Sequence, residues 1–336
     1  MVPFTEARLK ELFGNFQGKH VAVVGDLMVD RYYWGRVFRV SPEAPVPVVE
    51  VESESVRLGG AANVANNIQA LGGIPLLVGL VGDDHPGAML TEVLREKNLD
   101  TAGIVVDGGR PTTIKTRVIA HGQHVVRIDH ESKADCPDHL AVRIIDAVKY
   151  NIRMLQGIII EDYNKGVVTR EVIHELVAIA KKYRVPITAD PKFNNFLEFR
   201  DVTVFKPNRR EVEEILGGRL NDIDRVEAAG RKLLAQLGAG NILLTRGEEG
   251  MSLFEADGTV THIGTTATNV QDVSGAGDTV ISTLTMALVG GASVREAALL
   301  ANYAAGIVVS EVGIVPVQPD RLTAVALASR PGAQER

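Results

Sequence analysis

The sequence contains a single cysteine, Cys136, among 336 residues. No intramolecular disulfide and no zinc site built on cysteine ligands can form, which favours a reducing compartment. No run of about 20 apolar residues is present either, so we expect no membrane span. The charged N-terminal segment MVPFTEARLKELFGNF lacks the apolar stretch of a signal peptide. We therefore predict a cytoplasmic location.

The sequence also lacks an excess of positive charge, with a formal net charge of −6. We therefore expect neither nucleic acid nor an anionic membrane surface as a partner. Hydrophobic residues make up 45% of the chain, which is enough for a large core. The length fits one large α/β domain, with or without a small accessory unit. We predict a single domain over residues 1–330 and a frayed tail at 331–336.

Short apolar runs alternate with helical patterns along the chain. The runs typical of buried parallel strands lie at 20–25, 76–82, 157–162, 186–190, 202–208 and 241–247. The helical patterns lie at 137–153, 169–183, 208–217 and 222–237. This alternation predicts an α/β fold with a doubly wound, mainly parallel sheet flanked by helices. Ligands bind such sheets at the carboxyl ends of the strands.

Two segments depart from this alternation. Residues 45–52 alternate apolar and polar side chains, and residues 112–130 read as two strands around a turn near Gly122. HGQH at 121–124 is interpreted as part of that turn. We predict a small antiparallel β-sheet lid over the site, with strands at about 36–56 and 110–131.

The segment DVSGAGDTV places small residues before an acid, Asp278, where a long apolar segment begins. Backbone N–H groups at a helix start are unpaired, and small residues let an anion approach them. We therefore interpret Gly275, Ala276 and Gly277 as an anion hole. Asp278 would accept a proton from an attacking hydroxyl, as phosphoryl transfer requires. The alternative is a glycine-containing turn with Ser274 as helix cap.

Two motifs in the N-terminal part suit a sugar. Gly59 and Gly60 precede a helix that holds Asn63, whose amide can donate to and accept from hydroxyls. Asp26 and Asp30 follow a strand and could together bind vicinal hydroxyls. The alternatives are a helix entry with an exposed asparagine face and ordinary turn acids.

In KPNRREVEEILGG, Asn208 and Glu211 are three residues apart. One interpretation is that Asn208 contacts phosphate and Glu211 orders water around Mg²⁺. The other is a capping box at the start of a helix. No GxxxxGK[ST] phosphate loop is present, so a P-loop site is excluded.

Taken together, the motifs resemble those of the ribokinase-like (PfkB) carbohydrate kinases. GGAANVANNIQALGG and DVSGAGDTV are similar to the two signatures of that family, and the resemblance spans about residues 20–320. SPEAPVPVV, with EDYNKG and KPNRREVE, resembles one subfamily, the D-glycero-D-manno-heptose 7-phosphate kinases, which form the kinase half of bifunctional ADP-heptose synthesis proteins. Because no HxGH motif is present, we expect the second activity to reside in another polypeptide.

The resemblance implies roles for individual residues. Asp278 would be the base, beside an anion hole of Gly275, Ala276 and Gly277. The sugar would contact Asp26, Asp30, Gly59, Gly60 and Asn63. ATP phosphates and Mg²⁺ would face Asn208 to Glu211, and the nucleoside would lie near Thr245, Gly247 and Asn302. A monovalent cation such as K⁺ would lie near Asp272 and the backbone at Val273 and Gly313.

The resemblance implies ATP-dependent phosphorylation of the anomeric hydroxyl of the heptose 7-phosphate to the 1,7-bisphosphate, for lipopolysaccharide core synthesis. The alternatives are a fructokinase- or ribokinase-type sugar kinase and a non-catalytic sugar or nucleotide sensor. Candidates for the substrate phosphate are basic residues at the predicted rim: Arg31, Lys115, Arg117, Lys165 and Lys192, the last of which follows Asp190 at a strand end. The apolar side chains of the lid favour a homodimer through the lid.

Overall fold

A computed structural model of the protein describes residues 4–267 and 269–329, so the tail predicted at 331–336 lies outside the described residues. The strands are β1 (His20–Gly25), β2 (Leu27–Val40), β3 (Pro47–Gly60), β4 (Ile74–Gly82), β5 (Ile104–Asp107), β6 (Thr113–Ala120), β7 (Gln123–His130), β8 (Gly157–Glu161), β9 (Ile187–Asp190), β10 (Val204–Phe205), β11 (Asn241–Thr245), β12 (Met251–Glu255) and β13 (Val260–Ile263). The helices are α1 (Glu6–Phe16), α2 (Ala61–Ala70), α3 (His85–Glu96), α4 (Asp138–Asn151), α5 (Arg170–Tyr183), α6 (Arg209–Leu216), α7 (Ile223–Leu237), α8 (Ala276–Val289), α9 (Val294–Val308) and α10 (Pro319–Ala328).

The main sheet has nine strands in the order β13-β12-β11-β10-β9-β8-β1-β4-β5. Pairing is parallel from β11 through to β5, and antiparallel at β11–β12 and β12–β13. Helices α1, α2, α8 and α9 bury one face of the sheet, and α4, α5 and α7 bury the other. The predicted doubly wound, mainly parallel sheet is confirmed. Among the described helices, none combines the length and apolar character needed to cross a bilayer.

The direction of winding reverses at β1. The chain proceeds outward through β4 and β5 on one side, and through β8 to β11 on the other. A crevice at such a switch point is where doubly wound sheets bind ligands. Polar side chains lie at this carboxyl edge: Asp26 after β1, Glu161 at the end of β8, Asp190 at the end of β9 and Lys206 after β10.

Strand β10 is shorter than predicted. The sequence pattern indicates a strand over 202–208, whereas the structure has a strand at Val204–Phe205 alone. Pro207 has no N–H to donate to a neighbouring strand. Asn208 caps α6 instead, since its side chain accepts a hydrogen bond from the N–H of Glu211 at 2.9 Å.

The smaller sheet, here called the lid sheet, contains β3, β2, β6 and β7 in that order. The β2–β3 and β6–β7 pairings are antiparallel, and β2–β6 is parallel. The two predicted strands around Gly122 are present as β6 and β7. Strand β2 begins at Leu27 and β3 ends at Gly60, so both strands extend beyond the predicted range of 36–56 toward the core. At their base, Leu27, Met28 and Val29 are all buried, so the alternation that marks a one-sided strand is missing there.

The base of the lid sheet is fastened to the core. One residue, Asp26, separates β1 from β2, and its carbonyl accepts the N–H of Ala61 at 3.1 Å. Gly60 has φ of +55°, and a Cβ there would collide with the Asp26 carbonyl. Farther out, β-bulges interrupt the β2–β3 register at Trp34/Gly35 and between Val37 and Arg39.

Candidate active site

Helix α8 begins at the carboxyl edge of the main sheet. Its N-cap is Gly275, with φ of +75°, and among the described residues no side chain caps the helix. The alternative of a Ser274 cap is therefore wrong. A Cβ on Gly275 would lie 2.9 Å from Asn63 Nδ2, so the position has little room for a larger residue. The open amides and the positive end of the helix dipole suit an anion.

Asp278, in the first turn of α8, is buried and held by two donors. The Tyr163 hydroxyl donates to its Oδ1 at 2.7 Å, and Asn63 Nδ2 donates to its Oδ2 at 2.7 Å. Asn63, predicted as a sugar ligand, is thus a neighbour of Asp278. It is itself held by Asn67, which donates to the Asn63 carbonyl at 3.0 Å.

The environment of Asp278 suits a base that works near neutral pH. Burial raises the pKa of Asp278 to about 6, the hydrogen bonds from Asn63 and Tyr163 lower it, and the negative charge of Asp190 raises it. A base is most effective when its pKa lies close to the operating pH. An exposed aspartate titrates near 3.9 and would be a weaker proton acceptor.

Three further ionisable groups are buried beside Asp278. Lys206 Nζ pairs with Asp190 Oδ2 at 2.6 Å, and both side chains lie close to Gly277. Neither carboxyl oxygen of Glu161 has a hydrogen-bond partner among the described residues. Burial, with the charges of Asp190 and Asp278, raises the pKa of Glu161 well above its usual value. The Glu161 carboxyl therefore keeps its proton to a higher pH than an exposed glutamate does.

A cavity of about 810 Å³ opens next to the start of α8, where Gly275, Ala276 and Gly277 line it. The residues predicted to contact nucleotide or phosphate that line it are Lys192, Asn208, Thr245, Gly247, Gly275, Ala276, Gly277 and Asn302. Asn302 Nδ2 donates to the carbonyl of Gly264 at 2.8 Å, which fixes this wall of the cavity. The volume is within the range of small-molecule sites.

Glu211 and Asn208 form a capping box, which is one of the two interpretations that the sequence allowed. Glu211 Oε2 accepts the N–H of Asn208 at 2.8 Å, and its Oε1 pairs with Lys192. Within the described ranges, no group of three or more His, Cys, Asp or Glu side chains could hold a metal ion. Proteins commonly hold Mg²⁺ through one or two carboxylates, water and nucleotide phosphates, and Glu211 supplies one carboxylate beside Asn208.

The two predicted sugar-binding carboxylates have partners within the protein. Asp26 accepts three backbone N–H groups: Tyr163 at 2.7 Å, Lys165 at 3.0 Å and Val167 at 3.1 Å. Asp30 lies on β2 in the lid sheet, against Gly59, and pairs with Arg117 of β6. They do not form the predicted fork at one strand end.

Each predicted phosphate-binding cation also has an acidic partner. Arg117 pairs with Asp30 and Lys192 pairs with Glu211. Lys165 Nζ pairs with Glu131 Oε1 at 2.8 Å. The remaining pairs at the rim are Lys115 with Glu131 and Arg31 with Glu54.

Asp272 organises the loop before the anion hole. Its Oδ1 accepts the N–H of Ser274 at 2.8 Å, and its Oδ2 accepts the N–H of Gly313 at 3.0 Å. Burial works against the charged form, but these two bonds and Arg117 lower the pKa of Asp272. The carboxylate is therefore charged at neutral pH, close to where a monovalent cation was predicted.

Three residues of this site were missing from the predicted set: Glu161, Tyr163 and Lys206. Glu161 and Tyr163 belong to EDYNKG, which follows a buried strand and so had a positional signal. Lys206 is the first residue of KPNRREVEEILGG, and nothing in the surrounding sequence indicates that its side chain is buried.

Comparisons with known proteins identify the family of the chain. A family model described as pfkB family carbohydrate kinase matches residues 19–321. Bifunctional protein HldE of Geobacter sulfurreducens is 43% identical over 311 residues, which are 93% of this chain and 64% of that protein. HldE of Trichlorobacter lovleyi is 41% identical over 323 residues, which are 96% of this chain and 66% of that protein. The chain thus spans roughly two thirds of the length of these relatives.

Solved structures share the fold at lower identity. Phosphofructokinase-2 from Escherichia coli, in complex with potassium, has a TM-score of 0.77 and 17% identity, covering 93% of this chain and 98% of its own. Ribokinase from Arabidopsis thaliana, complexed with ribose and ATP, has a TM-score of 0.72 and 20% identity, covering 92% and 99%. With the family match, these findings lead to one conclusion: the chain belongs to the pfkB family of carbohydrate kinases and is a sugar kinase with the ribokinase-like fold.

Proposed function

We propose that the protein transfers the γ-phosphoryl group of ATP to the anomeric hydroxyl of D-glycero-D-manno-heptose 7-phosphate, giving the 1,7-bisphosphate. The observation that carries the chemistry is the position of Asp278, buried behind the uncapped start of α8 and next to the cavity. SPEAPVPVV, which resembles the heptose 7-phosphate kinases, supports the choice of sugar.

The transfer can be written with named groups. Asp278 accepts the proton of the anomeric hydroxyl while that oxygen forms a bond to the γ-phosphorus, and the bond to the bridging oxygen of ADP breaks. The amides at Gly275, Ala276 and Gly277 stabilise the charge on the transferred group. Lys206, close to Gly277, adds positive charge at the same place.

ATP would occupy the 810 Å³ cavity, with its phosphates at Asn208 and the anion hole and its nucleoside near Thr245, Gly247 and Asn302. Mg²⁺ neutralises phosphate charge when bound, and Glu211 would hold its water shell. We also propose a monovalent cation such as K⁺ near Asp272, whose carboxylate is charged.

Glu211→Gln is expected to raise the Mg²⁺ concentration needed for half-maximal activity. The amide keeps the side chain's size but removes the charge that orders a hydrated cation. A Mg²⁺ titration of the initial rate, together with a thermal melt, measures both effects.

The matched control is Glu296→Gln. Glu296 forms the capping box of α9 with Ser293, and it also pairs with Arg8. This variant should lose stability with unchanged Mg²⁺ dependence. If Glu211→Gln does the same, losing about 0.5–2 kcal/mol with a normal Mg²⁺ titration, then Glu211 is only a cap.

The substrate proposal predicts at least about tenfold higher kcat/KM for the heptose 7-phosphate than for the unphosphorylated heptose. One charge-assisted contact to the distal phosphate contributes about 1.5–3 kcal/mol, which corresponds to a tenfold effect or more. Arg117, Lys165 and Lys192 are the candidate contacts, each of which would exchange its present acidic partner for phosphate. Steady-state assays with both sugars, fructose and ribose measure the preference.

Arg117→Gln should reduce this preference and leave ATP binding close to wild type. Equal use of the phosphorylated and free heptose by the wild-type protein would contradict the heptose 7-phosphate assignment. Preferential use of fructose or ribose would support the alternative, a fructokinase- or ribokinase-type enzyme. No ATP consumption with any sugar would favour the sensor.

We further propose a homodimer formed through the lid sheet and a cytoplasmic location. Apolar side chains on the lid sheet and on its β2–β3 connection are exposed: Phe38, Val40, Val46, Val51, Val126 and Ile128. Packing one lid sheet on another would remove this surface from water.

A further inference from the structure

We propose that Tyr163 is the positioning residue of the catalytic base: its hydroxyl orients the Asp278 carboxylate and sets the pH range in which that carboxylate accepts a proton. This inference rests on the proposed function, in which Asp278 is the base. It adds a role for Tyr163, to which neither the sequence nor the family match assigns any chemistry.

The geometry carries the proposal. The Tyr163 hydroxyl lies 2.7 Å from Asp278 Oδ1, and the residue borders the cavity. Asn63 holds the other oxygen, Oδ2, so the carboxylate cannot rotate without breaking a bond. Each carboxylate oxygen has a second lone-pair site, which leaves Asp278 able to accept a substrate hydroxyl.

Tyr163 is itself held in place from two directions. Its backbone N–H donates to Asp26 Oδ2 at 2.7 Å, which ties the loop to the end of β1. Lys192 Nζ lies 5.4 Å from the centroid of the Tyr163 ring. A half-buried phenol fixed in this way presents its O–H in one direction, whereas a water molecule in its place would have to be ordered by other groups.

Tyr163 stays a hydrogen-bond donor across the working pH range. Burial raises the pKa of the Tyr163 phenol well above its usual value, and the negative charges of Asp278 and Glu161 raise it further. The hydroxyl donates to the ionised form of Asp278 and therefore favours that form. Without this bond, protonated Asp278 would persist to higher pH.

The other charged groups that face Asp278 are fixed by neighbouring elements. They are Glu161 at the end of β8, Asp190 at the end of β9 and Lys206 after β10. Helix α2 presents the uncharged Asn63. Helix α1 packs at the opposite end of α8, where Phe16 contacts Gly290, and Arg8 of α1 pairs with Glu296 of α9. Removing one phenol hydroxyl leaves all these charges in place.

The test is the pH dependence of kcat/KM for Tyr163→Phe, with Tyr303→Phe as the matched control. Tyr303 is a buried tyrosine of α9, and within the described part of the chain the side-chain donors to the Asp278 carboxylate are Asn63 and Tyr163. The acid limb, expected near pH 6 in the wild type, should move up by about one pH unit in Tyr163→Phe because a bond to the ionised carboxylate is lost. Activity lost below about pH 7 should largely return at higher pH. Tyr303→Phe should keep the wild-type limb.

A second measurement keeps every tyrosine hydroxyl in place. Incorporation of 3-fluorotyrosine at all 6 tyrosines makes the phenol at 163 a stronger donor. The acid limb should then move to lower pH. An unmoved limb in both experiments, or a loss of activity in Tyr163→Phe that is equal at every pH, would overturn the proposal and leave Tyr163 a structural residue.

Failure of this inference is distinguishable from failure of the proposed function. If Asp278→Asn retains activity, Asp278 is not the base and the proposed chemistry is wrong. If Asp278→Asn is inactive while Tyr163→Phe keeps the wild-type limb, the base stands and only the role of Tyr163 is wrong.

Discussion

Asp278→Asn is expected to lower kcat by about 10²–10⁴-fold, the usual contribution of a general base. The amide keeps the size of the side chain and can still accept a bond from Tyr163 or Asn63, but it cannot accept the proton of the sugar hydroxyl. ATP affinity should stay close to wild type because Asp278 lies behind the anion hole, away from the nucleoside wall. Single-turnover rates and ATP binding measured on the same preparation separate the two quantities.

The matched control is Asp320→Asn. Asp320 is an exposed acid in the first turn of α10, so the change removes a carboxylate from a helix start outside the site. Its kcat should equal that of the wild type. If Asp278→Asn keeps more than about a third of the wild-type kcat, well outside the range for a lost base, the assignment of Asp278 is wrong.

Lys206→Met is expected to lower the free energy of unfolding by about 3–5 kcal/mol. Lys206 is 3% exposed and Asp190 is 6% exposed, so the substitution leaves a buried carboxylate without its partner at 2.6 Å. Breaking one side of a buried ion pair is costly because the remaining charge keeps its desolvation penalty. Urea denaturation in the absence of ligands measures the change.

Two companion variants test the reason for this loss. Lys149 pairs with Glu175 at 3.6 Å, with both side chains about half exposed, so Lys149→Met should cost at most about 1 kcal/mol. Adding Asp190→Asn to Lys206→Met should restore part of the stability, since the unpaired charge is gone. A loss in Lys206→Met no larger than in Lys149→Met would show that the buried pair contributes little.

The sequence predicts the fold because its signals are local. Strands β1, β4, β8 and β11 of the main sheet each contain an apolar run, and the helices between strands have clear starts, as at Thr169, which caps α5. Asp278 was recognisable for the same reason, since the small residues and the acid are consecutive. Strand β10 is shorter than its apolar run predicts because Pro207 has no N–H to donate to a neighbouring strand and Asn208 caps α6.

The parts of the site that the sequence did not predict depend on distant neighbours. Asn63 contacts an acid 215 positions away, and nothing near Asn63 indicates that partner. A lysine is usually a surface residue, so the sequence does not indicate that Lys206 pairs with Asp190 at the end of β9. Arg117 and Asp30 each look available in the sequence, but the parallel pairing of β2 with β6 makes them partners.

The way the lid sheet is attached sets where it can bend. Strand β2 leaves the core after a single buried residue, Asp26, which three backbone N–H groups hold. Because β2 follows this fixed residue directly, we expect its first residues to move with the core. The bulges at Trp34/Gly35 and between Val37 and Arg39 are the first interruptions of its ladder. We therefore expect any hinge of the lid sheet at these bulges, and we expect Asp30 and Gly59, on the core side of them, to keep their position relative to Asp278 when the outer half moves.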